Sequence, residues 1–222
     1  STLQQTSSSK LSFGASRTMQ IAQRLYQGID IDGETVGLIT YMRTDGTNIS
    51  KDAVATFRNF ITQNYGETYL PSTPLNYSGK KAKNAQEAHE AIRLTEISRV
   101  PEDMKKYLSS DQYKLYNLIW SRSLSSQMES AKFDRKTITI TSEDNKNICK
   151  ASGSTIKFDG FLKLQKIEGN DDEKILPEVS KGPIEIKEFN DEQHFTQPPP
   201  RFSEASLVKK LEELGIGRPS TY

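Results

Sequence analysis

One cysteine, Cys149, is all that 222 residues provide, so an internal disulfide and a cysteine-rich zinc site are both excluded. Cys149 reads as a small strand residue. Surplus charge is also lacking: 30 Lys and Arg stand against 29 Asp and Glu, so binding to nucleic acid cannot be argued from bulk charge and needs local clusters. No long apolar run and no signal sequence occurs, and a cytoplasmic, soluble protein is expected. Apolar residues make up 34%, which is modest, yet helix and strand patterns are clear enough to argue for folding. The length allows one or two domains. The chain opens on Ser1-Thr2-Leu3 and closes on Gly217-Arg218-Pro219-Ser220-Thr221-Tyr222, where Pro after a turn starts a helix that does not follow. An internal piece of a longer sequence is expected.

What is present begins with helices. Ser16 is placed to cap a helix through Gln27, with Met19, Ala22, Leu25 and Tyr26 on one face and Gly28 as its stop. Ile29 to Glu34 reads as an acidic loop, Val36 to Met42 as a strand, and Arg43 to Asn48 as a polar turn. Ser50 caps the next helix, whose Val54, Phe57 and Ile61 form an apolar stripe ending near Gly66. A loop with the basic run Lys80, Lys81 and Lys83 follows, read as solvated. Ser110 is placed to cap a longer helix, with Tyr113, Leu115, Tyr116, Ile119, Trp120 and Leu124 as its buried seam. Trp120 reads as core rather than as a base-stacking platform.

After about residue 130 the period changes. Residues 137–141 and 183–187 alternate as strands do, and Ile156, Phe158, Phe161, Leu162 and Leu164 add strand material between turns. Pro198-Pro199-Pro200 is a stiff boundary, and Ser203 caps a last helix with Leu207, Val208, Leu211 and Leu214 inward. The expected fold is α+β: a helical domain over 1–129 with a short strand bearing Tyr41, a small antiparallel β domain over 130–197, and the start of a further helical domain over 198–222. The last helix, its Gly turn and a second helix start suggest a helix-turn-helix.

Tyr41 ends the apolar strand, two residues before Arg43. A phenol offers a nucleophilic oxygen, and a guanidinium can hold a phosphate bidentately and offset charge in the transition state. Taken alone, a strand tyrosine usually only packs.

Three segments extend that reading. Gly37 to Asp45, the run Ala85-Gln86-Glu87-Ala88-His89-Glu90-Ala91-Ile92-Arg93, and Phe202 to Val208 continuing through Gly215 to Tyr222 resemble, in the same order, the bacterial DNA topoisomerase I family of type IA. Met42 stands where topoisomerase III relatives usually carry proline, and Ser1 to Gln5 and Arg17 to Tyr26 fit too. Gly46 replaces the family's usual Ser, and Leu94 the Pro that usually follows Ile-Arg.

The resemblance implies that Tyr41 attacks a single-strand phosphate to give a 5′-phosphotyrosine, with Arg43 positioning that phosphate and resealing needing no ATP. It implies supporting places for Asp45, His89 and Arg93, and contacts of Arg218, Ser220 and Thr221 with the DNA backbone, where exposed N–H groups at a helix start suit phosphate. It implies that Mg²⁺ belongs to a toprim domain that this chain lacks, since Asp171-Asp172-Glu173 reads as a solvated turn. No metal ligand is assigned here. Single-stranded or negatively supercoiled DNA and the remaining domains of the same chain are the implied partners of a nucleoid-associated monomer, and this piece alone is expected to be inactive. The reading from another class is a non-catalytic helix-turn-helix module; a merely packed Tyr41 is the third.

Overall fold

Helix caps and apolar stripes set most of the architecture. The computed structural model describes residues 1–44, 46–77, 90–165, 175–188 and 190–217. Among these, one compact unit is drawn from 1–131, 159–165 and 202–217, and a second from 132–158, 175–188 and 190–201. The whole is mixed helix with two small antiparallel sheets, in keeping with an α+β fold.

In the first unit, α1 (Thr2–Leu11) and α2 (Ala15–Gln27) lead into a hairpin of β1 (Ile29–Ile31) and β2 (Glu34–Val36). α2 buries Ala15, Thr18, Ile21, Ala22 and Leu25. Its cap position is Gly14, not Ser16, because the capping acceptor comes from far along the chain: the Ala15 amide donates to Glu204 Oε1 at 2.8 Å. The segment expected as a loop over Ile29 to Glu34 is instead a hairpin, with Ile29 opposite Val36 and Ile31 opposite Glu34. Asp32 and Gly33 form its turn, both at positive φ (53° and 91°), the conformation that Asp-Gly favours in two-residue hairpin loops. β2 stops at Val36, so the strand expected over Val36 to Met42 is mostly absent. Its later residues make a single antiparallel bridge, Ile39 with Leu94.

α3 (Lys51–Tyr65) starts as expected. Ser50 Oγ accepts from the Ala53 amide at 3.3 Å, and Ala53, Phe57 and Ile61 follow at four-residue spacing into the core. Gly66, at φ 94°, ends it by donating back to Ile61 and Thr62. A one-turn 3₁₀ helix (Glu67–Tyr69) and the short α4 (Pro101–Met104) precede α5 (Ser110–Ser125). The α5 cap is Ser109, one residue before the expected Ser110, in a reciprocal capping box with Gln112. α5 is the central buried element, with Leu115, Tyr116, Ile119, Trp120 and Leu124 at 5% exposure or less. Trp120 is core, its Nε1 donating to the Ile97 carbonyl at 3.1 Å, and the Tyr116 hydroxyl donates to the Arg99 carbonyl at 2.6 Å. Burial pushes the Tyr116 phenol well above its ordinary pKa, so it stays a neutral donor.

The first unit also takes Asp159 onward, where the Phe161 amide donates to the Glu129 carbonyl at 2.9 Å. Phe161 and Leu162 lie in a 3₁₀ turn (Gly160–Lys163) rather than in a strand. α6 (Glu204–Glu213), capped by Ser203 and Ser206, belongs here as well. It buries Val208 and sets Glu212 to accept from Ser1 Oγ at 2.7 Å and Gln5 Nε2 at 3.2 Å on α1.

The second unit is a hairpin of β3 (Lys132–Thr141) and β4 (Ile148–Phe158), which pairs Ile138 with Ala151 and Ile140 with Cys149. Cys149 is the small strand residue expected, though exposed. Residues 183–187 form no strand; Ile184 and Ile186 are 59% and 58% exposed. Alternation alone holds no strand without a partner edge.

The Tyr116 bond gives the fold its sharpest test. Tyr116→Phe keeps the ring but leaves the Arg99 carbonyl without its donor, and the protein is expected to lose about 1–3 kcal/mol of stability. Urea unfolding of the two proteins measures this; equal midpoints would show that the bond adds nothing.

Candidate active site around Tyr41

The chain reaches Tyr41 through a narrow passage beside the end of α2. A Cβ on Gly37 would sit 2.8 Å from the Tyr26 carbonyl oxygen, so only glycine passes there without displacing the chain. The next amide, that of Leu38, donates to the Leu25 carbonyl at 2.8 Å, and this ties the segment to the last turn of α2. Leu38 and Ile39 then enter the core at 1% exposure each.

The opposite side is held by residues 91–95. The Thr40 amide donates to the Arg93 carbonyl at 2.9 Å, and the Thr95 amide to the Leu38 carbonyl at 3.1 Å. The Thr40 hydroxyl donates to the Ala91 carbonyl at 2.8 Å and accepts from the Arg93 amide at 2.9 Å. Thr95 Oγ1 returns a bond to the Gly37 carbonyl at 2.8 Å. Both main-chain bonds of the bridge run through residues flanking Leu94, so the ladder does not use the amide at that position. The Pro expected there from the resemblance is compatible with the same pairing.

Tyr41 follows directly. It is half-buried, packs against the core, and meets the Tyr26 ring edge-on, with centroids 5.3 Å apart and planes at 65°. Met42 drops back into the core at 3% exposure, and the chain bends through Arg43, which is exposed. The backbone on either side of the phenol is thus anchored, while Tyr41 and Arg43 lie toward the surface. The Gly46 amide donates to Thr44 Oγ1 at 2.9 Å, which closes the turn without the expected Ser side chain at position 46.

Arg93 has a different character from Arg43. Its side chain is 16% exposed; Nε donates to Glu90 Oε2 at 2.6 Å and Nη1 to the Leu94 carbonyl at 2.9 Å. The bond from Arg93 holds the Glu90 carboxyl below the ordinary carboxylate range, against the opposing effect of burial, and the Ser50 backbone adds to the lowering. Arg93 therefore braces the 90–95 segment on which the Tyr41 segment is hung. Sequence reasoning missed Thr40, Glu90 and Tyr26. The Glu-x-x-Arg spacing of Glu90 and Arg93 could have suggested their pair, whereas nothing local shows that Thr40 bonds to Ala91 and Arg93 or that Tyr26 meets Tyr41.

Of the expected site residues, Tyr41, Arg43 and Arg93 belong to this bridged region. Asp45, His89, Arg218, Ser220 and Thr221 lie outside the described residues, as do Lys80, Lys81, Lys83 and Asp171 to Glu173. Among the described residues no group of three or more His, Cys, Asp or Glu could hold a metal ion. No helix among them is long and apolar enough to cross a membrane.

Comparison with known proteins extends this local picture to the whole chain. The family model described as DNA topoisomerase matches residues 1–222. DNA topoisomerase 1 of Rickettsia felis is 55% identical over 228 residues, covering 100% of this chain and 29% of the relative. DNA topoisomerase 1 of Helicobacter pylori is 49% identical over 224 residues, covering 100% of this chain and 30% of the relative. The solved structure of full-length topoisomerase I from Thermotoga maritima superposes with a TM-score of 0.77 at 39% identity, covering 100% of this chain and 35% of that one. The chain thus spans less than a third of the length of these curated relatives. With all 222 residues inside the family match and more than half identical to one curated relative, the chain belongs to the DNA topoisomerase family.

Proposed function

We propose that this chain is the tyrosine-bearing segment of a type IA DNA topoisomerase, which cuts one DNA strand, passes another through the gap and reseals it. The observation that carries the reading is the anchoring of Tyr41: Ile39 and Met42 are locked in the core on either side, while the phenol is only half-buried and the next cation, Arg43, is exposed. A nucleophile whose backbone is already fixed loses little freedom on reaching an attack geometry.

In the cleavage step the Tyr41 oxygen bonds to phosphorus as the bond from phosphorus to the 3′ oxygen breaks. The phenolic proton leaves the nucleophile, and the departing oxygen takes up a proton to become the free 3′-hydroxyl. Arg43 holds the non-bridging phosphate oxygens and offsets the charge that builds on them. Exchanging one phosphoester for another conserves the bond, so the 3′-hydroxyl reseals the strand by the reverse step without ATP. Negatively supercoiled DNA, with its ready single strands, is the substrate class.

Mg²⁺ is implied by the family, but the acidic groups among the described residues form no site that fits it. We assign the metal to the toprim part of the parent, and no step here runs through it. In this reading residues 1–129 form the helical tyrosine domain, 130–197 the β arch, and 198–222 the start of the DNA-gripping domain, in which Arg218, Ser220 and Thr221 contact backbone phosphates. Asp45 and His89 support the site, and the parent acts as a monomer at the nucleoid. The helix-turn-helix reading is not adopted, because α6 spends Val208 on packing and its Glu204 and Glu212 carboxylates on α2 and α1.

Tyr41→Phe in the full-length parent removes the attacking oxygen and is expected to abolish both relaxation of supercoiled plasmid and the covalent DNA adduct. Wild-type relaxation by a folded Tyr41→Phe parent would end the assignment. Arg43→Lys keeps the charge and loses the planar fork, so cleavage of a single-stranded oligonucleotide should fall by roughly 10- to 1000-fold with the fold intact. Unchanged cleavage would remove Arg43 from the phosphate site. The 222-residue chain by itself should leave plasmid intact in the presence of Mg²⁺, with no adduct trapped by detergent. Nicking or relaxation would show that the rest of the parent is dispensable.

A further inference from the structure

The Tyr41 backbone is fixed on its N-terminal side by the bonds at Leu38 and Thr40. Reaction also requires that its oxygen point at phosphorus, so contacts on the ring bear on the rate. Tyr26 is an aromatic neighbour that makes such a contact. It lies on the last turn of α2, and its ring meets that of Tyr41 edge-on at 5.3 Å and 65°, within the range in which the positive edge of one ring is attracted to the negative face of the other. Tyr26 is 40% exposed, so burial is a weak reason for an aromatic there. The backbone does bring it to Tyr41: a Cβ at position 37 would lie 2.8 Å from the Tyr26 carbonyl oxygen, and Leu38 is bonded to Leu25, the residue before Tyr26.

We infer that Tyr26 is a positioning residue for strand cleavage, its ring holding the Tyr41 ring at the angle from which the phenolic oxygen reaches the phosphate. The inference rests on Tyr41 being the nucleophile. Tyr26 makes no bond to DNA and moves no proton, so its aromatic ring should matter and its hydroxyl should not. An exposed ring beside a DNA site could instead stack a base, and that alternative loses affinity rather than rate.

The experiment uses the full-length parent and a single-stranded oligonucleotide, with binding measured separately from single-turnover cleavage at saturating DNA. Tyr26→Ala and Tyr26→Leu should both slow cleavage by about 2- to 12-fold, the worth of one edge-to-face pair, with unchanged oligonucleotide affinity. Tyr26→Phe, which keeps the ring, should cleave like wild type. Tyr26→Leu keeps apolar bulk, so it separates loss of the ring from damage to the fold, which thermal unfolding of each variant also checks. Wild-type rates in both Tyr26→Ala and Tyr26→Leu would overturn the inference, as would a loss of affinity at unchanged rate, or a Tyr26→Phe variant as slow as Tyr26→Ala. Tyr41→Phe in the same assay keeps the two readings apart: if that variant still forms the adduct, the nucleophile assignment fails, whereas a dead Tyr41→Phe beside an unaffected Tyr26→Ala removes only the positioning role.

Discussion

Everything around Tyr41 depends on how a short extended segment is held without a sheet. It meets the carbonyl of Leu25 at one point and residues 91–95 at a few others, and these bonds take the place of a β-ladder. A buried amide or carbonyl left unpaired is costly, so Leu38 and Ile39 could not lie in the core without them. The other features follow from this need. Position 37 has to be glycine for the chain to come close enough to α2. Thr40 uses its hydroxyl to take an amide that a true neighbouring strand would have taken. Arg93 is drawn inward to brace the carbonyl of Leu94 and the carboxylate of Glu90.

The two arginines of the region stand in different surroundings. Arg93, mostly shielded and bonded on two sides, has its planar fork already committed to carbonyl and carboxylate. Arg43 follows a bend and faces solvent, so its fork is available to an anion. Burial and bonding, rather than residue type, separate the structural cation from the one assigned to phosphate.

The parts legible in the sequence were those governed by local rules. Ser50 and Gly66 bound α3 as expected because a cap and a left-handed stop are decided within a few residues. The α2 cap was misplaced because its acceptor is Glu204, which no local pattern reveals. The Asp32-Gly33 turn was legible in principle, flanked by Ile29, Ile31 and Val36, but the acidic character of the stretch suggested a loop. The run from Val36 to Met42 looked like a strand because it is short and apolar, but it has a single bridge, Ile39 with Leu94, and no ladder beyond Val36. Residues 183–187 had the alternation of a strand and no edge to join. Tyr41 and Arg43 are proposed from their pattern; the contact of Tyr26 with Tyr41 follows from Leu25 and Leu38 meeting in space.

That meeting has an evolutionary corollary. Since Leu38 is bonded directly to Leu25, the β1–β2 hairpin between them starts and ends at nearly the same point. It is nonetheless tied down, by Ile29, Ile31 and Val36 packed on the core and by the Tyr107 hydroxyl donating to Asp32 Oδ2 at 2.6 Å, so the drift it tolerates is confined to its exposed Gly33, Glu34 and Thr35. Relatives should therefore vary more freely at Gly33 to Thr35 than at Ile29, Ile31 or Val36, and a tag inserted at Asp32-Gly33 would put the bond from Tyr107 at risk.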